Sequence, residues 1–332
     1  MILKGFEYHN TFEDEYMAMN RKKMFLLLAG ILFSHLGISA GNRMNLIASG
    51  DSCVSHYDYF HALQYYRQAQ KQSDDFQIQM KIADCYYCRS DFQSCTDLLK
   101  KIDEDSLSHD AFREIFYSYG AMKQSGSQVY WGNQLLSRYP MDSKILADLM
   151  HVYSTDEVLQ PQNAIEVGQK YCKTDSENID VNRALAEAYF ANRNFDSSLG
   201  EYQRLLQERD TTYSGLYHIG LCYQYLNRMD SARVYLQTAV SRYPTYPVAY
   251  YLLGVVENRL GDFPESCISL EKAAKLYMPD PTLMHIIYKC LGQSYVGQQK
   301  NSLAIDSWTT ALKYQDDPDL RSKMEELQQS NK

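Results

Sequence analysis

The chain has 332 residues, 45% of them hydrophobic and 22% charged, with only 8 prolines, so it can bury a large core and lacks the bias of long disordered segments. Its formal net charge is −8 and no basic stripe interrupts it, which argues against nucleic acid as a partner. Tyrosine is over-used, 29 against 12 Phe and 2 Trp, so many large core side chains bring a hydroxyl that needs a partner.

Residues 19–40, MNRKKMFLLLAGILFSHLGISA, have the build of a secretory signal. Arg21, Lys22 and Lys23 precede an unbroken apolar run from Met24 to Phe33, and Ile38-Ser39-Ala40 offers a small-residue cleavage site. A spanning helix needs about twenty apolar residues, and Ser34 and His35 interrupt this run well before that. Cys53 lies too far along to be a lipidation site. Residues 1–18 are acidic where such signals are basic, so they read as a gene-model extension with translation starting at Met19 or Met17. The expectation is cleavage near Ala40 and an extracytoplasmic product, periplasmic or secreted, with no stable membrane insertion. The alternative is an uncleaved N-terminal anchor.

Beyond residue 40 no stretch shows strict apolar alternation, and helical periodicity dominates. Thr211 to Pro244 shows the pattern most cleanly. Leu216, Ile219, Gly220 and Tyr223 share one helical face, Asn227 to Asp230 break it, Ala232, Leu236 and Ala239 mark a second helix, and Pro244 stops it. A tightly packed slot recurs at Gly50, Ala83, Phe116, Met150, Ala186, Gly220, Gly254 and Gly292, with gaps of 33 to 38 residues. A second slot follows at Ala62, Cys95, Gln128, Ala164, Ser198, Ala232, Ser266 and Ala304. A third follows at Ala69, Ile102, Leu135, Tyr171, Leu205, Ala239, Ala273 and Ala311. Three residues past the first slot, Tyr86, Tyr119, Tyr153, Tyr189, Tyr223 and Tyr295 form a fourth series.

A period near 34 with these slots resembles the tetratricopeptide repeat. The resemblance implies an all-α fold, a right-handed superhelical solenoid of about eight helix pairs with a C-terminal capping helix. The units are expected at 43–75, 76–108, 109–142, 143–178, 179–212, 213–246, 247–280 and 285–318, with 319–332 as capping helix and tail. The unit 109–142 is the most degenerate, since Phe116 stands in for a small residue and Gln128 for alanine. Two extra residues fall around Ser154 to Pro161, and Met278-Pro279-Asp280-Pro281 is expected to lengthen the connection before the last pair.

Residues that could carry chemistry are few. HExxH, GxSxG and phosphate-cradling glycine loops are all missing from the sequence, so no enzyme, cofactor or metal site is expected. Cys85 and Cys88 lack a second pair at metal-binding spacing. Eight cysteines in an exported chain invite a disulfide count, and Cys85 or Cys88 could reach Cys95 across a helix pair. Mostly free thiols are expected, because repeat packing stabilises the fold without staples. Glu257 replaces the slot tyrosine in a clean unit, and its carboxylate is expected to escape to water, with Arg233 or Lys272 as possible partners.

The face of each first helix opposite its packing stripe is the candidate binding surface. In the family that the chain resembles, first helices line a concave groove. The residues on that face, paired seven apart, are Met80 and Tyr87; Arg183 and Phe190; Tyr217 and Gln224, with Tyr225; and Tyr251 and Asn258, with Arg259. Aromatic groups with scattered Arg and Asn suit a peptide segment or partner protein. The class implied is a non-enzymatic exported interaction scaffold. The alternatives are a membrane-anchored or cytoplasmic adaptor in complex assembly, and less favourably a carbohydrate-binding protein. Ile47 and Asp51 stand where a basic carboxylate clamp would need Lys, Arg or Asn.

Overall fold

The computed structural model describes residues 43–207, 212–277 and 280–330. The leader and start-site expectations for residues 1–40 lie outside the described residues, as do Met278 and Pro279. Every regular element among the described residues is helical, apart from a single 3-10 turn at Glu104–Ser106 these being seventeen α-helices. They come in antiparallel pairs: α1 (Arg43–Ser55) with α2 (Tyr59–Gln70), α3 (Phe76–Cys88) with α4 (Phe92–Leu99), α5 (His109–Ala121) with α6 (Ser125–Arg138), and α7 (Ser143–Ser154) with α8 (Pro161–Cys172). There follow α9 (Ile179–Ala191) and α10 (Phe195–Gln207), α11 (Tyr213–Tyr225) and α12 (Met229–Arg242), α13 (Pro247–Leu260) and α14 (Phe263–Leu276), α15 (Pro281–Gly297) and α16 (Asn301–Tyr314), and a single α17 (Pro318–Ser330). The packing divides them into two compact units that part at Ala184, within α9.

Local chemistry sets the helix ends. Asp75, Ser108, Asp142, Thr212 and Asp280 each accept the N–H three residues on, which satisfies one of the donors a helix start leaves open. Asp280 and Pro281 together start α15 four residues before position 285. The inserted residues therefore extend that helix rather than the connection, and they bury Leu283 and Met284.

Each pair turns through one residue in the left-handed region: Tyr57, Ser90, Lys123, Leu159, Arg193, Asn227, Gly261 and Gln299. The following N–H closes back on the last turn of the first helix, as Asp91 does on Tyr86 O at 2.9 Å and Asp262 on Glu257 O at 2.9 Å. Only one of the eight is glycine, so seven side chains sit where a Cβ is disfavoured. Replacing the exposed Arg193 by Gly is expected to raise stability by about 0.5–1 kcal/mol, read as a higher urea midpoint at unchanged slope.

Within a pair the core is a size-matched contact. A Cβ added at Gly50 would lie 2.4 Å from Tyr66, at Gly220 2.6 Å from Leu236, at Gly254 2.6 Å from Leu270 and at Gly292 2.2 Å from Trp308. The small residue on the first helix thus receives the large one sixteen positions later on the second. Ala83 with Leu99 and Ala186 with Tyr202 hold the same positions, all four buried. In the degenerate unit the sizes are exchanged. Phe116 is fully buried and points at Gly132, where an added Cβ would lie 2.9 Å from its ring. Met150 and Gly168, both buried and in the same register after the two-residue insertion, repeat the exchange.

The slot tyrosines join one pair to the next through their hydroxyls. Tyr153 Oη bonds with Asn133 at 2.8 Å, Tyr223 Oη accepts from Gln203 at 2.9 Å, Tyr295 Oη donates to Glu271 at 2.7 Å, and Tyr86 accepts from Arg67. Tyrosine here fills space as a hydrophobe and pins the preceding second helix as a donor or acceptor. The stack closes on α17, whose Leu320 is buried against Trp308 and Ala311.

Candidate functional site

The faces of the first helices carry polar and aromatic groups that the packing between the two helices of a pair leaves over. Within residues 43–184, neighbouring first helices meet through a repeating register. The residue after each packing slot faces the residue two before the slot of the next pair. Asp51 on α1 accepts from Lys81 on α3 at 2.7 Å and from Tyr66 at 2.6 Å. Tyr117 on α5 donates to Asp148 on α7 at 2.7 Å, and Lys144 reaches the same carboxylate at 3.1 Å. Between these rungs the same register sets Asp84 on α3 opposite Glu114 on α5, where the Asp84 charge acts on the Glu114 carboxyl. Burial first, then the Asp84 charge, push the Glu114 carboxyl up to about 9.

The sequence reading missed this acid pair. Its signal was the 30-residue separation, the same as for Asp51 and Lys81. Around it lie the three thiols of the unit's centre, Cys85, Cys88 and Cys95, each pushed up to about 12, chiefly by burial. All eight cysteines are thiols. Among the described residues no three His, Cys, Asp or Glu side chains converge to hold a metal ion.

Three of the ten candidate groove residues, Met80, Tyr87 and Arg183, fall in this unit. All are half-buried. Tyr87 packs edge-on against Phe92 at 5.9 Å, and Arg183 pairs with Asp180 at 3.1 Å, so neither is wholly uncommitted.

The other seven lie in the second unit and divide sharply. Tyr225 is 52% exposed and stacks on Phe195 with centroids 4.5 Å apart, while Phe190 meets both rings edge-on. Tyr251 is half-buried within electrostatic reach of Tyr225, Arg259 and Cys290, and Arg259 is exposed. These four, Phe190, Tyr225, Tyr251 and Arg259, form one patch across α9, α11 and α13.

Tyr217 does not belong to it. It is only 5% exposed, packed on Tyr213 at 5.1 Å and on His218 at 4.1 Å, with its hydroxyl 3.0 Å from His218 Nε2. The expectation of an open groove side chain there is corrected: an aromatic neighbour one turn back closes over it. Asn258 is also spent, since its Nδ2 donates to Ser294 Oγ at 2.7 Å and ties α13 to α15. Gln224 is half-buried, and its Oε1 is covered without a hydrogen-bond partner.

Glu257 departs from expectation too. It is 4% exposed and does not reach water; Ser269 donates to its Oε2 at 2.7 Å. Burial pushes its carboxyl up to about 7. Arg233 is bonded to Asp262 at 2.5 Å and reaches Glu257 through its charge alone, which only partly offsets the effect of burial.

No helix among the described residues is long and apolar enough to cross a membrane. A tetratricopeptide-repeat family model matches residues 214–246, the pair α11–α12 with its flanks. Among solved structures, the chain is similar to a tetratricopeptide repeat protein from Parabacteroides merdae, with a TM-score of 0.53 at 12% identity, covering 76% of this chain and 98% of the other. It is also similar to a chain of the Cut9–Hcn1 hetero-tetramer of the APC/C, with a TM-score of 0.52 at 17% identity, over 82% of this chain and 57% of that one. No curated protein matches the sequence. At such identities the likeness speaks to fold alone, and it agrees with the slots and the turns: the chain has the tetratricopeptide-repeat fold, and residues 214–246 carry the repeat that the family model matches.

Proposed function

We propose that this protein is a non-enzymatic scaffold outside the cytoplasm, holding an extended peptide segment or a partner protein against the first-helix face of α9, α11 and α13. The tetratricopeptide fold is a framework for protein–protein interaction, which supports the class. The observation that carries the site is the patch of Phe190, Tyr225, Tyr251 and Arg259. Here an exposed aromatic ring held in a stack and a guanidinium with no ion pair among the described residues both act on Tyr251 between them. Such rings lose little entropy on binding, and Arg adds a directed charge, which is how anchoring residues of interfaces work. The secretory features of residues 19–40 support export.

Selection of displayed peptides on the folded chain tests the site. Enriched peptides are expected to bind at least tenfold more weakly to Tyr225→Ala and Arg259→Ala proteins whose circular dichroism is unchanged. Peptides indifferent to both substitutions would place binding elsewhere. Export is tested separately by sequencing the N-terminus of the protein from its native source. A start at Gly41 agrees with cleavage, whereas a mature chain that keeps Arg21 to Lys23 rules it out.

A further inference from the structure

The patch on α9, α11 and α13 leaves particular groups unfilled. Tyr225 and Arg259 hold the same repeat position, 34 residues apart, on the first helices of neighbouring pairs. The Tyr225 ring lies on Phe195, 7° from parallel with centroids 4.5 Å apart, and Phe190 meets the two edge-on at 5.6 and 5.3 Å. The stack fixes an exposed ring before anything binds, so little ordering remains to be done. Beside it, Gln224 has its Oε1 covered with no hydrogen-bond partner, an acceptor that a main-chain N–H would satisfy.

Arg259 is exposed and has no ion pair among the described residues. Its neighbours are spent: Asn258 donates to Ser294 Oγ at 2.7 Å, and Lys289 of α15 is held by Asp317. The fixed charges acting on Tyr251 and Cys290 are both cations, Arg259 on each and Lys289 on Cys290, although the whole chain carries −8. Glu187, one turn before Phe190, already has a partner and lies on α9, two first helices away from Arg259.

We propose that the segment held here is an internal, extended stretch with an aromatic side chain and a carboxylate about three residues apart, the ring on Tyr225 and the Asp or Glu on Arg259. This rests on the reading of that face as the binding site and names its ligand. Helices packed side by side lie about 8–10 Å apart, a distance an extended chain covers in about three residues. Offset or edge-on contact between rings gains more than the area it buries, and a guanidinium takes a carboxylate through paired, charge-assisted hydrogen bonds. Holding a chain end would need several donors converging on it. With Asn258 and Lys289 withdrawn, the fit is a side-chain acid reaching a single guanidinium.

Short dye-labelled peptides with blocked ends, carrying Trp and a second residue three positions away in either order, test this by fluorescence polarisation against the full chain. The second residue is Glu, Gln or Lys. On wild type the Glu peptide is expected to bind at least fivefold more tightly than the Gln peptide, and the Lys peptide more weakly still. Arg259→Gln, with unchanged circular dichroism, should remove the preference for Glu, and Arg259→Glu should turn it toward Lys. Tyr225→Ala should weaken all three alike. Weakening by Tyr225→Ala without any preference for Glu over Gln overturns this inference and leaves the site standing. So does a Gln peptide with a free C-terminus that binds as tightly as the blocked Glu peptide, since the carboxylate would then be a chain end. Indifference of every peptide to Tyr225→Ala, or binding by none, overturns the site and the inference together.

Discussion

Phe116→Ala is expected to destabilise the protein by about 4 kcal/mol, the usual cost of emptying a fully buried aromatic site. Gly132→Leu is expected to cost about 1–3 kcal/mol by overpacking, because a Cβ there already lies 2.9 Å from the Phe116 ring and 3.0 Å from Leu149. Combined, the two changes restore the orientation used by Gly220 with Leu236 and by Gly254 with Leu270, a small first-helix residue receiving a large second-helix one. The double variant should recover at least half of the summed loss, since residues in contact couple by about 0.5–3 kcal/mol. Urea unfolding of the three variants measures this. If the losses simply add, the two side chains do not share one space and the size-exchange account of this unit is wrong.

Asp142→Ala should be the most damaging polar substitution. The Asp142 side chain is 3% exposed, caps α7 through Ile145 N–H at 3.1 Å, and binds His109 at 2.7 Å and Arg113 at 2.9 Å from the preceding pair. Removing it leaves a guanidinium and a helix start unpartnered at once, an expected loss of about 3–5 kcal/mol. Burial works against its charge but is outweighed by the hydrogen bonds from Arg113, Ile145 and His109, which hold the carboxyl below 3.8. Its contribution is therefore complete above that value and disappears as pH falls through the depressed folded one. Acid unfolding of wild type and of Asp142→Asn distinguishes cap from charge. The Asn variant should keep part of the cap and lose the acid dependence of this group. Asp317 repeats the device, with Lys289 at 2.5 Å, His285 at 3.3 Å and Leu320 N–H at 3.0 Å, so Asp317→Asn should shift acid unfolding in the same sense.

How far each residue could be read before the fold was known depended on the range of the interaction involved. The packing slots were legible because each follows from helical spacing inside one element: Ala62, Ala164, Ala232 and Ala304 are all wholly buried, as is Ser198 at the same position. Tyr217 was misplaced because spacing names a face but not what stands over it. Tyr213, one turn earlier, and Tyr246, whose ring lies 4.3 Å from that of Tyr213, enclose that position. Glu257 was misread for a similar reason, since the serine that receives it, Ser269, belongs to the opposing helix.

Periodicity and the turn and cap residues by themselves determined that this chain is a row of helix pairs, where most of the helices begin and end, and which side of each turns inward. Those features arise from contacts within a few residues, so a single stretch contains all the information. Three matters were decided only by tertiary structure: that Phe116 and Gly132 exchange sizes, that Tyr225 and Arg259 stay open while Tyr217 is enclosed, and that Glu257 is received by Ser269 rather than by water. Each depends on distances between side chains that only the packed helices fix, and burial and electrostatic coupling have no value until those helices are in place.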